Sequence, residues 1–236
     1  MRKIGIIGAM DSEVDNLTAR LEEAVPHTVA GRTFTAGKLH GCSVVVVKSG
    51  IGKVAAAITA QLLIDRFGVD CLINTGMAGG LDSRLAVKDL VVGIEAVQHD
   101  FDLTAFGHTR GYLYGEDDSR PTAFKADDEL AKLAMEAAAE VLPPENKAIV
   151  GRIASGDVFV NDRDLKHTLV AEFAAAAAEM EGAAIAQTAE ANDVPFVILR
   201  TISDLADSHA DVSFDELEQY VGRLAGDITV ALLSRL

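Results

Sequence analysis

Three acidic residues lie next to predicted strand ends, where an α/β protein binds its ligands. Glu13 follows the first β-branched run, Asp204 ends the most apolar run, and Glu181 follows an alanine-rich stretch and Met180. In open α/β sheets, ligands bind beyond the carboxyl ends of the strands. At the edge of a buried strand, loss of water raises the pKa of a carboxyl group. Two carboxylates with separated pKa values can act as general acid and general base, as glycosidic cleavage requires.

Each of these acids also has an ordinary structural explanation. An acid in a first helical turn, as Glu13 is predicted to be, complements the helix dipole. Asp204 fits a turn or cap, and a buried Glu181 needs hydrogen-bond partners whatever its role. Each signal is weak alone, and their joint placement is what favours a catalytic site.

Other chemical motifs are less consistent with the sequence. A dinucleotide-binding motif opens a helix after a strand, as Gly50-Ile-Gly52-Lys-Val-Ala55 is predicted to do. Such a motif also requires an acid at the end of the next strand. That acid is absent here, and Asp70 precedes the next strand instead. The six histidines show no metal-ligand spacing, and no Gly-x-Ser-x-Gly elbow occurs. We therefore expect no cofactor and no metal.

Composition restricts the class of partner. The chain has 236 residues, enough for one large α/β domain or two small ones, and a formal net charge of −15. That charge argues against nucleic acid and anionic membranes as partners. Cys42 and Cys71 fit reduced thiols, and no apolar window is long enough to span a bilayer. We expect a cytoplasmic protein that acts on a small molecule.

The alternation of β-branched runs with helical patterns predicts the secondary structure. Strands are predicted over residues 4–10, 33–39, 42–49, 71–75, 90–99, 148–155 and 194–202, and helices over 12–23, 54–67, 127–141, from 181 to about 191 and from 213 onward. His40-Gly41 predicts a hairpin, and Gly68 a helix end. Ser12-x-x-Asp15 and Ser213-x-x-Glu216 predict helix starts. Without a linker or repeat, residues 1–236 are predicted to form a single three-layer α/β domain.

Seven motifs in chain order resemble one enzyme family. They are Gly5-Ile-Ile-Gly-Ala-Met10 with Glu13, Lys48-Ser-Gly-Ile-Gly-Lys-Val-Ala-Ala56, Asn74-Thr-Gly-x-Ala-Gly-Gly80, His99-Asp-x-Asp-x-Thr-Ala-Phe-Gly107, Ser155-Gly-Asp-x-Phe159, Glu179-Met-Glu181 and Ile202-Ser-Asp204. Together they resemble the bacterial 5′-methylthioadenosine/S-adenosylhomocysteine nucleosidases of the purine nucleoside phosphorylase superfamily. The resemblance implies a nucleoside phosphorylase-like α/β/α sandwich with a central mixed sheet. It also implies hydrolysis of the N-glycosidic bond of those two nucleosides, and of 5′-deoxyadenosine.

The resemblance further implies roles for individual residues. Asp204 would protonate N7 of adenine, and Glu13 would orient and deprotonate the attacking water. Glu181 would hold the ribose 2′ and 3′ hydroxyls. Met180 would pack against the sugar, Phe159 and Val160 would contact adenine, and Met10, Ile51 and Phe214 would surround the 5′ thioether. Further implied pocket residues are Ala78, Gly79, Met77 and Ser203, with Tyr114 at the pocket mouth. Leu103 and Phe106 would come from the partner subunit of a homodimer.

Two departures and three alternatives stay open. Met77 stands where many relatives carry Ser, and residues 111–122 form a longer segment than usual, so the resemblance implies the reaction and leaves the substrate preference open. A phosphorolytic relative needs a cation for phosphate, whereas the first predicted strand opens onto acids with no Arg before Arg20. The same site could cleave aminodeoxyfutalosine. A non-catalytic nucleoside-binding regulator is the third alternative, and retention of all three acids disfavours it.

Overall fold

The computed structural model describes residues 3–115, 117–206 and 210–236, with the backbone alone for 210–216. The strands are β1 (Lys3–Gly8), β2 (Glu22–Val29), β3 (Arg32–Leu39), β4 (Cys42–Lys48), β5 (Cys71–Gly80), β6 (Leu90–Gln98), β7 (Ala123–Lys125), β8 (Ala148–Ser155), β9 (Ala175–Glu179) and β10 (Phe196–Asp204). The helices are α1 (Asp11–Ala19), α2 (Lys53–Phe67), α3 (Asp128–Val141), α4 (Arg163–Phe173), α5 (Gly182–Ala191) and α6 (Ala210–Leu233), with a 3₁₀ turn at Thr104–Phe106.

The described strands form one mixed sheet that is open on one side and closed on the other. From the β2 edge the order is β2, β3, β4, β1 and β5. β5 pairs with both β9 and β10, and the pairs β9–β8, β8–β6 and β6–β10 complete a closed ring. Register shifts interrupt β10 between Ile202 and Asp204 and β6 between Gly93 and Glu95. Such bulges bend strands and so help the sheet to close.

Helices cover both faces of this sheet, which confirms the predicted three-layer α/β/α fold. Adjacent residues of β10 point to opposite faces, as strand geometry requires. Ile198 joins the core under α2 and α5, together with Leu63 of α2. Leu199 joins the core on the other face, with Ile228 of α6, and α1 and α3 also cover that face. The carboxyl ends of β1, β5 and β10 come together between the two helical layers.

The first helix is shorter than predicted, and the strand after it was not predicted. Helix α1 ends at Ala19, and β2 occupies part of the segment assigned to the helix. Met10 is the N-cap residue, so Ser12 lies inside the first turn and does not begin the helix. β2 is exposed along nearly its whole length and contains Pro26. An edge strand of this kind has no alternating apolar pattern to reveal it.

Three further segments differ from the prediction. α4 was missed, although Asp162 caps it by accepting the N–H of Leu165 at 2.9 Å. The alanine run 175–178 is a buried strand despite the helix preference of alanine, because tertiary packing overrides weak propensities. The last helix begins at Ala210 and not at Ser213. The side chains of the predicted cap, Ser213 and Glu216, lie outside the described residues.

The predicted hairpin between β3 and β4 is confirmed. Leu39 faces Cys42, and the two intervening residues, His40 and Gly41, have φ angles of 49° and 80°. Two consecutive positive φ angles are what a tight hairpin turn requires. Among the described helices, none combines the length and apolar character that crossing a bilayer needs.

Candidate active site

A cleft opens at the carboxyl ends of β1, β5, β9 and β10. It has a volume of about 490 Å³, including the part open to solvent. All three predicted acids lie in its wall. The lining residues are Ala9, Met10, Glu13, Ile51, Met77, Ala78, Gly79, Phe159, Ala178, Glu179, Met180, Glu181, Ser203 and Asp204. Most of the predicted site residues, taken from distant parts of the chain, therefore meet at one cleft.

Glu13 is buried and held by three backbone N–H groups. Its Oε2 accepts the N–H of Ala9 at 2.6 Å and that of Met10 at 3.1 Å, and its Oε1 accepts the N–H of Met77 at 2.9 Å. Burial raises the pKa of Glu13, opposed by the charge of Arg200 and by these three bonds. A carboxylate has about four acceptor positions, so three bonds fix its orientation and leave one for a small polar molecule.

Asp204 ends β10 and is oriented by its chain neighbours. Its Oδ2 accepts the hydroxyl of Ser203 at 2.8 Å, and its Oδ1 accepts the N–H of Ala206 at 2.8 Å. The bulge that follows Ile202 brings Asp204 opposite Gly79 of β5. A β-carbon at position 79 would lie 2.9 Å from Oδ1, so the absence of a side chain at Gly79 leaves room for the acid.

Glu181 joins three parts of the fold at the start of α5. Its Oε1 accepts the N–H of Gly52, which precedes α2, at 2.9 Å, and its Oε2 lies 3.4 Å from Nη2 of Arg200. Burial, followed by the negative charge of Glu179, raises the pKa of Glu181 to about 8, against the opposing effect of Arg200. Burial and the charge of Glu179 therefore favour the protonated form of Glu181 in the empty cleft.

Arg200 and Glu179 were not predicted as site residues, yet Glu179 lines the cleft and binds the buried Arg200. Arg200 is fully buried in the middle of β10, and its Nη2 donates to Glu179 Oε2 and, at 2.7 Å, to Oδ1 of Asn74. A cation inside an otherwise apolar strand must find buried partners. That single feature of the sequence could have identified Arg200.

Four predicted residues of the described chain do not line this cleft. Val160 is buried and lines a smaller cavity that adjoins the cleft through Gly79 and Asp204. Leu103 and Phe106 belong to the segment around the 3₁₀ turn, outside this cleft, and Phe106 is 78% exposed.

Tyr114 is also outside the cleft. Its hydroxyl donates to Oε1 of Glu190 at 2.9 Å, near the end of α5 that is distant from Glu181. The Phe214 side chain lies outside the described residues. Within the described part of the chain, no three His, Cys, Asp or Glu side chains are grouped so that they could hold a metal ion.

Comparisons with known proteins agree with the site. Residues 3–236 match the family model of the phosphorylase superfamily. A 5′-methylthioadenosine/S-adenosylhomocysteine nucleosidase of Shewanella sediminis is 45% identical over 235 residues, which cover 99% of this chain and 100% of that protein.

Solved structures of similar proteins share this fold over the whole chain. The nucleosidase of that description from Neisseria meningitidis, in complex with methylthio-immucillin-A, has a TM-score of 0.93 and 36% identity, with all of both chains covered. The futalosine hydrolase of Helicobacter pylori has a TM-score of 0.91 and 36% identity, covering 100% of this chain and 98% of that one. The chain belongs to the phosphorylase superfamily and, within it, to the family of 5′-methylthioadenosine/S-adenosylhomocysteine nucleosidases.

Proposed function

We propose that the chain hydrolyses the N-glycosidic bond of 5′-methylthioadenosine and S-adenosylhomocysteine, releasing adenine and the 5′-thio-substituted ribose. 5′-Deoxyadenosine is a further substrate. The observation that carries the proposal is the convergence of Glu13, Glu181 and Asp204 on one cleft. Three acids in one wall supply the proton donor, the base and the sugar contact that the reaction needs.

Asp204 acts as the general acid. It protonates N7 of adenine, which turns the base into a neutral leaving group. The hydrogen bonds that it accepts from Ser203 and Ala206 hold the carboxyl group in one orientation in the cleft wall. A proton donor must be aligned with its acceptor before its pKa matters, so this fixed orientation supports the role.

Glu13 orients the attacking water and accepts its proton. The three backbone N–H donors leave the carboxylate with an acceptor position for that water. Burial raises the pKa of Glu13, which makes it a better base than an exposed carboxylate.

Glu181 binds the ribose 2′ and 3′ hydroxyls, and Met180 packs against the sugar. Cleavage of the glycosidic bond builds positive charge on the ribose in an oxocarbenium-like transition state. Buried carboxylates beside that charge stabilise it strongly, because water does not screen them. Glu13 and Glu181 both lie in the wall that would face the sugar.

The apolar lining binds the two ends of the nucleoside. Phe159 stacks on adenine, backbone groups of Val160 read its edge, and the backbone around Ala78 and Gly79 passes beside it with Ser203. Met10 and Ile51, with Phe214, surround the 5′ thioether. Met77 places an apolar side chain near the catalytic acid, since it lines the same cleft.

The enzyme works as a homodimer of single nucleosidase domains, with pockets shared across the interface. Phe106 is 78% exposed, and Ile51 and Val54 beside the cleft are 59% and 70% exposed. Large apolar side chains exposed at the surface favour a protein interface. We place the enzyme in the cytoplasm, in methionine salvage.

Two other catalytic functions remain candidates. Aminodeoxyfutalosine cleavage is favoured by the similarity to the Helicobacter pylori futalosine hydrolase. Phosphorolysis is disfavoured, because no Lys or Arg is among the described residues that line the cleft and the neighbouring Arg200 is bound to acids. A nucleoside-binding regulator without catalytic activity is disfavoured, because binding alone does not require a buried carboxylate such as Glu13, oriented by three N–H groups.

A substrate comparison tests the proposed function. We expect kcat/KM for adenine release to be far higher with 5′-methylthioadenosine and S-adenosylhomocysteine than with adenosine. The reason is that each additional buried CH₂ contributes about 0.8 kcal/mol. Equal kcat/KM for adenosine and methylthioadenosine would contradict an apolar 5′ pocket. A preference for aminodeoxyfutalosine would assign the second candidate function.

A further inference from the structure

Glu179, which ends β9, is surrounded by hydrogen-bond donors. Its side chain is 2% exposed. Its oxygens accept the hydroxyl of Ser155, the N–H of Glu181 at 3.0 Å, the N–H of Gly182 at 2.9 and 2.8 Å, and Nη2 of Arg200. Every one of these partners donates. Only a side chain that accepts on both oxygens satisfies them, and Gln would turn an NH₂ group toward donors.

These bonds attach Glu179 to the start of α5, which carries Glu181, and to Arg200, which lies beside Glu181. The N–H groups of Glu181 and Gly182 belong to the first turn of α5, so Glu179 fixes the start of that helix. Ser155 extends the connection, because its Oγ accepts the N–H of Ala183 at 2.7 Å. The backbone that carries Glu181 is thereby tied to the ends of β8 and β9.

Arg200 is the cation that the buried acids share. It contacts Glu179 directly and lies 3.4 Å from Oε2 of Glu181. Nη1 of Arg200 and Oε1 of Glu13 both lie so close above Gly76 that a side chain there would collide with them. A guanidinium released from Glu179 would therefore move toward Glu181 or Glu13.

Such a move would occupy an oxygen that the reaction uses. Buried opposite charges attract strongly, so a close pair between Arg200 and Glu181 would compete with the ribose hydroxyls for the same carboxylate. With Glu179 present, the Arg200–Glu181 contact stays at 3.4 Å, longer than the 2.7–2.9 Å of a charge-assisted bond. Glu181 keeps an oxygen for the sugar.

We propose that Glu179 is a positioning residue for the reaction, which draws Arg200 away from Glu181 and fixes the start of α5 so that Glu181 can bind the ribose 2′ hydroxyl. The proposal rests on the proposed function. It assigns Glu179 no contact with the reacting atoms, and it makes the preference for a 2′ hydroxyl depend on Glu179.

Two substrates measured on one variant separate this role from general damage. We expect Glu179→Gln to lower kcat/KM for 5′-methylthioadenosine about tenfold or more, and to lower it much less for the 2′-deoxy analogue, which lacks that hydroxyl. The ratio of the two kcat/KM values should fall toward that of Glu181→Gln. Glu179→Asp, which keeps an acceptor carboxylate, should recover part of the ratio. Glu145→Gln, an exposed acid elsewhere on the chain, should leave both values unchanged.

The controls keep every outcome informative. Circular dichroism and the melting temperature show whether Glu179→Gln folds. If it does not, Ser155→Ala removes one donor and should lower the same ratio by a smaller factor. An unchanged ratio in a folded variant, with both substrates slowed equally or not at all, overturns the role of Glu179 alone. A wild-type protein that releases no adenine from methylthioadenosine overturns the proposed function and this proposal together.

Discussion

The backbone N–H of Met77 donates to Oε1 of Glu13 across 2.9 Å, which joins β5 to the first turn of α1. Two strands and a helix therefore determine where this carboxylate points, since the other two donors, Ala9 and Met10, follow β1. Because the donors belong to the backbone, a substitution of Glu13 leaves them in place. In Glu13→Gln at least one of these donors faces the NH₂ group of Gln, so nucleoside binding has to be measured beside turnover.

Glu13→Gln should bind the nucleoside and lose nearly all turnover. Gln cannot accept the proton of water, and a positioned base is typically worth about 10²–10⁴-fold in rate. Single-turnover measurements and equilibrium binding separate the two effects. The matched control is Asp15→Asn, an exposed acid of the same helix, which should keep wild-type kcat. More than about a tenth of wild-type kcat in Glu13→Gln would remove it from the role of base.

Asp204→Asn should also bind substrate and lose adenine release, because Asn has no proton to transfer to N7. The loss should depend on the leaving group. The p-nitrophenolate released from p-nitrophenyl 5-methylthioriboside departs without protonation, so the variant should cleave this substrate with a kcat much closer to that of the wild type. Equal losses on both substrates would show that Asp204 does more than donate a proton.

The Glu181 carboxyl should make nucleoside binding depend on pH. Its pKa of about 8 in the empty cleft means that it carries a proton at neutral pH. Two ribose hydroxyls that donate to it favour the ionised form, so binding should release a proton, and affinity should rise with pH up to about 8. Calorimetric titration of a non-hydrolysable analogue in two buffers of different ionisation enthalpy measures that proton. Equal proton release by wild type and Glu181→Gln would disprove the assignment.

Phe106→Ala should raise KM more than it lowers kcat if the partner subunit completes the pocket. The ring would pack on the 5′ group and not on the reacting bond, and burying a Phe contributes roughly 1.5–3 kcal/mol. The decisive version mixes this variant with Asp204→Asn under conditions of subunit exchange. One site of each heterodimer then has both residues intact, and activity at low substrate should exceed the sum of the separate variants. No recovery after verified exchange would show that each subunit carries a complete site.

The local sequence pattern was enough to predict the acids that end or follow strands. It was not enough to predict Arg200 and Glu179, the buried residues that contact Glu181 and the start of its helix. Glu13 and Asp204 could be predicted because parallel strands bring their carboxyl ends to one edge of the sheet. Glu179 and Asn74, two partners of Arg200, are 21 and 126 residues away from it, so no short motif connects them. The polar, exposed strand β2 has no apolar face that would have predicted it. The alanines of β9 have a weak preference for helix, which packing in the sheet overrides.

The fate of the sugar tests the central claim most directly. Purified protein is incubated with 5′-methylthioadenosine with and without inorganic phosphate, and both products are identified. Hydrolysis predicts adenine and free 5-methylthioribose at a rate that phosphate does not change, because the described cleft wall offers acids and no cation for that anion. The formation of 5-methylthioribose 1-phosphate, at a rate that rises with phosphate, would contradict it.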